Sequence, residues 1–448
     1  GSRPRRGRDP ACRAATAHPA RGTGTCRPPP VTVEAAMTGT PTGRRPANLA
    51  FYLPQFHPIE QNDAWWEPGF TEWHNVARAR PVYDGQRVGR LPGALGFYDL
   101  RVPETRRAQI ALARQAGIDG FMYYHYWFHG HRLLHEPLDR MLESPEEDFP
   151  FCLCWANEPW TRRWDGMEHD VLMSQQYSED DDLAHIHYLR RVFTDRRYLR
   201  LNGRPVLFVY RPASIPNVAH TMALWRWVCR EHGEPEPYLI RFDTYAEVED
   251  PSPTGFDAAA EFVPHGALAL MEQAGLPARD AGDGTGNLLL DYEHLAEAML
   301  TRPKAPWRRY RCVTPNWDNS PRRTWGEATI TVGSTPERFA TWVRRAQDAA
   351  AEDGDEFLLF NAWNEWAEGA NLEPDDVDGT AYLDALAEAL RPRAGLPPAT
   401  DPLPPRPPSA LDGVGEGELR RRLEVAEATL ARRAVRWPLA IARRLRGS

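Results

Sequence analysis

Eight short apolar runs, nearly all followed by a segment of helical period, predict an α/β chain folded as a closed (β/α)8 barrel. The alternation itself calls for parallel strands joined by right-handed crossovers. Eight is also a number at which a parallel sheet closes and loses both edges. In addition, polar and aromatic residues collect at the C-terminal ends of the runs, where barrels of this type keep their chemistry. An open doubly wound sheet is the alternative, because the fifth crossover, residues 246–255, is short and broken by prolines.

The barrel is expected over residues 47–391. Its strands read as 48–57 (NLAFYLPQFH), 120–128 (GFMYYHYWF), 149–158 (FPFCLCWANE), 205–211, 238–245, 257–264, 310–317 and 356–363. Helices are expected over 102–117, 133–143, 181–194, 218–232, 292–300, 336–351 and 382–390. The acidic run Asp180, Asp181 and Asp182 falls where a helix begins, a place that favours negative charge. Residues 1–46 are rich in Arg, Pro, Gly, Thr and Ala without periodicity, and are expected to be disordered, with Met37 a candidate start. Residues 392–412 read as a Pro-rich linker and 413–448 as a basic amphipathic helical tail.

The net charge of −8 argues against nucleic acid as a partner. Sixteen tryptophans in 448 residues supply the flat apolar faces on which sugar rings stack. The six cysteines show neither a Cys-x-x-Cys pair nor zinc-ligand spacing, so reduced thiols and a cytoplasmic protein are expected. No apolar run approaches the ~18 residues of a membrane span, and the N-terminus lacks a secretory core. Weak peripheral membrane contact is conceivable only through the basic tail.

The strand ends supply the candidate binding residues. The first strand and its loop bring Gln55, His57, Trp65, Trp66, Glu72 and Trp73. The second brings Tyr124, His125, Tyr126 and Trp127, and the third Asn157, Glu158, Trp160, Arg163 and Trp164. Tyr210, Glu261, Asn316 and Trp317 follow from the fourth, sixth and seventh. Such a set suits a carbohydrate. No Gly-rich phosphate loop, Ser nucleophile elbow or metal-ligand spacing is present, so neither cofactor nor metal is expected.

The eighth strand opens into Asn364, Glu365, Trp366 and Glu368. Two carboxyls three residues apart among aromatics are suited to acid/base work on a glycosidic bond. Apolar walls and a neighbouring anion both raise a carboxyl pKa, which prepares one group to donate a proton.

The segments YLPQFHPIEQNDAWWEPGFTEW, LGFYDLRVPE, GFMYYHYWF, FPFCLCWANEPWTRRWDG and NAWNEWAEGANLEPD resemble the WbsX-like proteins of polysaccharide gene clusters. That group is similar in turn to glycoside hydrolase family 99, the endo-acting α-mannosidases. The resemblance spans roughly residues 48–390 and implies a retaining enzyme for an α-linked, mannoside-like glycan. It implies that Glu365 deprotonates the sugar 2-hydroxyl to give a 1,2-anhydro sugar, with Glu368 as general acid/base. The family motif is Glu-Trp-His-Glu, and this chain has Ala367 in the third place. The same resemblance leaves a glycosyltransferase of O-antigen or exopolysaccharide biosynthesis as the rival. A non-catalytic glycan-binding barrel is the third reading.

Overall fold

A computed structural model describes residues 45–83, 85–86, 90–162, 167–244, 249–276, 278–281, 284–323, 325–392 and 399–405. Cys12, Cys26, Arg163, Trp164 and the basic tail lie outside these residues, as do positions 1–44. Eight parallel strands form the barrel: β1 (Ala47–Tyr52), β2 (Gly120–Phe128), β3 (Phe151–Trp155), β4 (Arg204–Val209), β5 (Tyr238–Asp243), β6 (Ala258–Glu261), β7 (Arg309–Val313) and β8 (Phe357–Phe360). They pair in chain order, and β1 closes the cylinder by pairing with both β2 (Leu49 opposite Gly120) and β8 (Ala47 opposite Phe357). That closure excludes the open sheet. At Gly120 a Cβ would stand 2.9 Å from the Pro150 carbonyl oxygen, so this close approach requires glycine.

Helices α1 (Pro103–Ala116), α2 (Glu136–Glu143), α3 (Glu179–Phe193), α4 (Val218–Glu231), α5 (Tyr292–Leu300), α6 (Pro336–Asp353) and α7 (Ala381–Ala389) surround the strands. Their ends follow local chemistry. Pro103 opens α1 and Gly117, at φ 85°, ends it. The Ser178 hydroxyl caps α3 by accepting from the Asp181 amide. Asp181 and Asp182 are engaged by their side chains, accepting from Trp127 Nε1 at 2.9 Å and the Thr221 hydroxyl at 2.7 Å. Between β5 and β6 the described residues hold only a 3-10 turn, Ser252–Thr254, in place of a helix.

Strand alternation decides what fills the cylinder. Phe51, Phe208, Phe242 and Phe262 point inward, with ring centroids of Phe51 and Phe262 5.7 Å apart and those of Phe208 and Phe242 5.4 Å apart. The intervening residues pack outward against the helices. Four cysteines, Cys152, Cys154, Cys229 and Cys312, are buried and free, and burial pushes the Cys229 thiol up to about 12.

Several strands are shorter than the sequence suggests. β1 stops at Tyr52 and β7 at Val313, before the prolines at 54 and 315 that cannot donate to a ladder. Order also extends beyond the expected boundaries. Arg45, expected in the disordered arm, clasps Asp119 at 2.6 and 2.9 Å. Within the expected linker, Leu403 is buried in the core and the Ala399 amide donates to Asp348 at 2.6 Å. Among the described residues no helix is long and apolar enough to cross a membrane.

One buried ion pair ties α1 to the loop before β3. Arg106 donates to both carboxylate oxygens of Glu147, at 2.9 and 2.6 Å, and the two side chains are 2% and 0% exposed. Arg106→Ala should lower the unfolding free energy by about 3–5 kcal/mol in urea titration, because Glu147 is left charged and dry. Replacing both residues with apolar ones of similar volume should recover most of that loss.

Candidate active site

A cavity of about 370 Å³ opens at the C-terminal mouth of the barrel. Glu365 and Glu368 lie in its wall, carried by the loop after β8, where Trp366–Glu368 makes one 3-10 turn. Gly369, at φ 60°, ends that turn in a conformation that favours glycine.

The two carboxylates meet on one guanidinium. Arg322 donates through Nη2 to Glu365 at 2.7 Å, and its Nη1 stands 3.0 Å from Glu368. It also donates through Nε to Glu72 at 3.1 Å and weakly to Gln55 at 3.4 Å. Three loops, after β1, β7 and β8, therefore converge on one cation. The Glu365 side chain is 5% exposed, whereas that of Glu368 keeps 20% of its surface open. Burial holds the Glu365 carboxyl well above the usual range, Arg322 opposes this, and the anions Glu368 and Glu72 reinforce it. Burial likewise raises Glu72 against the pull of Arg322.

Aromatic residues build the remaining wall. Tyr124 and Tyr126 project from β2, and the Tyr126 hydroxyl accepts from Gln55 at 2.6 Å. Trp160 stands edge-on to Tyr126, with centroids 5.2 Å apart, and Trp65 braces Trp160 from behind at 5.8 Å. Trp66 lines the cavity beside Phe70, and Tyr210 meets Phe262 at 5.0 Å. Glu158 pairs with Arg211 at 3.1 Å on the cavity rim.

The structure thus brings Trp66, Tyr124, Glu158, Trp160, Tyr210, Glu365 and Glu368 to one cavity. Other expected contacts lie elsewhere, mostly through strand parity. On β2, His125 and Trp127 face α3 instead of the cavity. His125 Nε2 lies 3.0 Å from His185 Nε2, and Trp127 stacks on the His185 ring at 4.6 Å. Burial drives the His125 ring down to about 3, so it stays neutral. Glu261 points out of the barrel toward Arg302 and Arg309, at 3.4 and 3.8 Å, and accepts from the Cys312 amide. Its neighbour Phe262 takes the inward place. His57 is buried outside the cavity lining, and desolvation lowers it to about 4.

Five more expected contacts are structural supports. Asn157 fastens the Arg211 backbone, donating to its carbonyl at 2.8 Å and accepting from its amide at 2.7 Å. Asn364 does the same for Leu53, donating to its carbonyl at 3.0 Å and accepting from its amide at 2.8 Å. Asn316 accepts from the Thr331 hydroxyl at 2.8 Å, and Trp317 is buried edge-on to the cavity residue His265 at 5.2 Å. Trp366 turns inward, donating to Glu373 at 2.7 Å.

Arg322 has no counterpart among the sequence-based candidates. Its signal was a pair of arginines, Arg322 and Arg323, in a strand-end loop otherwise polar or aromatic. Among the described residues no group of three or more His, Cys, Asp and Glu side chains is placed to hold a metal ion.

The family profile described as Glycosyltransferase WbsX matches residues 48–386. Two curated relatives, the Uncharacterized protein WxcX of two strains of Xanthomonas campestris pv. campestris, are each 46% identical over 352 residues. The match covers 77% of this chain, and the chain spans about half the length of those relatives. Solved structures that it resembles include the GH99 endo-alpha-mannosidase of Bacteroides thetaiotaomicron, at TM-score 0.48 and 15% identity over 77% of this chain and 95% of that one. A second, a glycoside hydrolase-like protein, gives TM-score 0.49 and 14% identity over 80% and 98%.

Behind Trp366 lies a further buried acid. Glu373 accepts from Tyr98 and Gln109, each at 2.6 Å, as well as from Trp366, yet burial raises it to about 7. A carboxyl that binds its proton more tightly when folded adds stability at low pH and loses it as pH rises through the folded pKa. Between pH 4.5 and about 7, unfolding measurements should show the wild type losing stability relative to Glu373→Gln, by on the order of 3 kcal/mol across the window.

Proposed function

This chain belongs to the WbsX glycosyltransferase family, and we propose that it is a retaining glycoside hydrolase acting on an α-linked, mannoside-like glycan. One observation carries the reading: Glu365 and Glu368 share a single cation at the wall of an aromatic-lined cavity. A sugar seated there meets a deep, strongly basic carboxylate and a shallower one that solvent can replenish with protons.

In the first step Glu365 takes the proton of the sugar 2-hydroxyl. That oxygen bonds to its own anomeric carbon as the glycosidic C–O bond breaks. Glu368 gives its proton to the departing oxygen, leaving a 1,2-anhydro sugar. In the second step Glu368 takes a proton from water, whose oxygen attacks the anomeric carbon. The bond from the anomeric carbon to O2 opens, and Glu365 returns its proton to that oxygen. Two inversions give retention, and both carboxyls end as they began. The raised pKa of Glu365 makes its anion the stronger base, which favours the otherwise difficult deprotonation of an alcohol.

A transferase reading is supported by the family description and by the arginines Arg211 and Arg323 in the cavity wall, which could face a phosphoryl leaving group. The two separate in one assay. Incubation with manno- and rhamno-oligosaccharides, read by mass spectrometry, should release free sugar, and incubation with nucleotide sugars should release no nucleoside diphosphate. Glu368→Gln should lower the cleavage rate by on the order of 10²–10⁴ while the fold persists. An unchanged rate would remove Glu368 from the chemistry.

A further inference from the structure

Glu72 is a buried acid of the site that the hydrolytic scheme leaves unused. It is 2% exposed, reaches the cavity from the loop after β1, and places Oε2 3.1 Å from Arg322 Nε. The guanidinium that it engages is the one holding Glu365 at 2.7 Å and Glu368 at 3.0 Å.

We propose that Glu72 is a positioning residue acting through Arg322: it draws guanidinium charge away from Glu365 and Glu368, so that this pair retains one proton. The purpose assigned to that proton rests on the hydrolytic reading, whereas the charge coupling does not. An acid/base pair needs one protonated and one ionised member at the start of each turnover. Two carboxylates facing an undivided guanidinium would ionise more readily, weakening the acid. With Glu72 present, three carboxylates compete for one cation. Uncompensated charge in a dry site is costly, and a proton on the pair is the simplest relief. That proton belongs to the pair, whose two titrations are macroscopic.

Among the described residues, Glu158, Arg211, His265 and Arg323 line the same cavity, and the Tyr124 and Tyr126 hydroxyls feel the Glu365 charge, both raised above their ordinary value by burial. The two hydroxyls stay protonated throughout the working range. Beside Glu368, Arg322 and Glu72 are the charges that act on Glu365, so they are the ones to vary. A packing role for Glu72, which immediately precedes the short helix Trp73–Arg78, predicts no such movement.

Carboxyl ¹³C NMR titration of the full chain, labelled with ¹³C-glutamate, reads the coupling without any substrate. Glu72→Gln should lower the upper midpoint of the pair by about one pH unit. Arg322→Gln should raise the midpoints of Glu365, Glu368 and Glu72 together. Unmoved midpoints in Glu72→Gln overturn the proposal. Should that variant fail to fold, a rise in Arg322→Gln confined to Glu365 and Glu368 overturns it equally, because Glu72 would not share the cation. Shifted midpoints in a chain that cleaves no glycan support the coupling and remove the hydrolase reading. Glycan cleavage with unmoved midpoints does the reverse.

Discussion

One guanidinium among three carboxylates sets the terms for the mouth of this barrel. Arg322 is nearly buried, and so are Glu72 and Glu365. Each charge has lost most of its water, and in that setting mutual attraction offsets desolvation only if the geometry holds. The loops after β1, β7 and β8 are therefore bound to a common point, although they are distant in sequence. Asn364 adds a second tie between the first and last of them through both polar groups of the Leu53 backbone. The aromatic wall then needs only to be packed against a polar centre that is already fixed.

The fold was largely legible because it depends on periodicities that survive in a single sequence. All eight strands and the seven expected helices are present, since alternating apolar runs and helical stripes report burial directly. Boundaries moved for identifiable reasons. Prolines ended β1 and β7 early, and the Arg45–Asp119 clasp and the burial of Leu403 extended order outward. A single ion pair or one apolar anchor has no periodic signature, which is why composition alone placed those residues in disordered or linker segments.

The site was legible in part, and the misplacements share a cause. Reading every polar residue near a strand end as a cavity residue ignores parity. On β2, Tyr124 and Tyr126 face inward, so His125 and Trp127 must face α3. The same rule sends Glu261 outward once Phe262 faces in. Parity could have been applied to the sequence. The roles of Asn157 and Asn364 could not, because their partners are backbone groups just past the ends of other strands, which only the closed cylinder brings near. Arg322 was hidden for the opposite reason: it ends a single 3-10 turn, Ser320–Arg322, too short for a period to say which way a side chain points.

Closure has a further consequence in time. β1 pairs with β8, and Asn364 grips Leu53 across 311 residues of chain. On a ribosome the first strand emerges long before its partner, so the acid pair and the cation that holds it come together only once the last strand has been made. A chain that stops before β8 carries every aromatic residue of the wall but not the two carboxylates that face it. Until β8 and the loop after it have been made, Glu365 and Glu368 cannot meet Arg322.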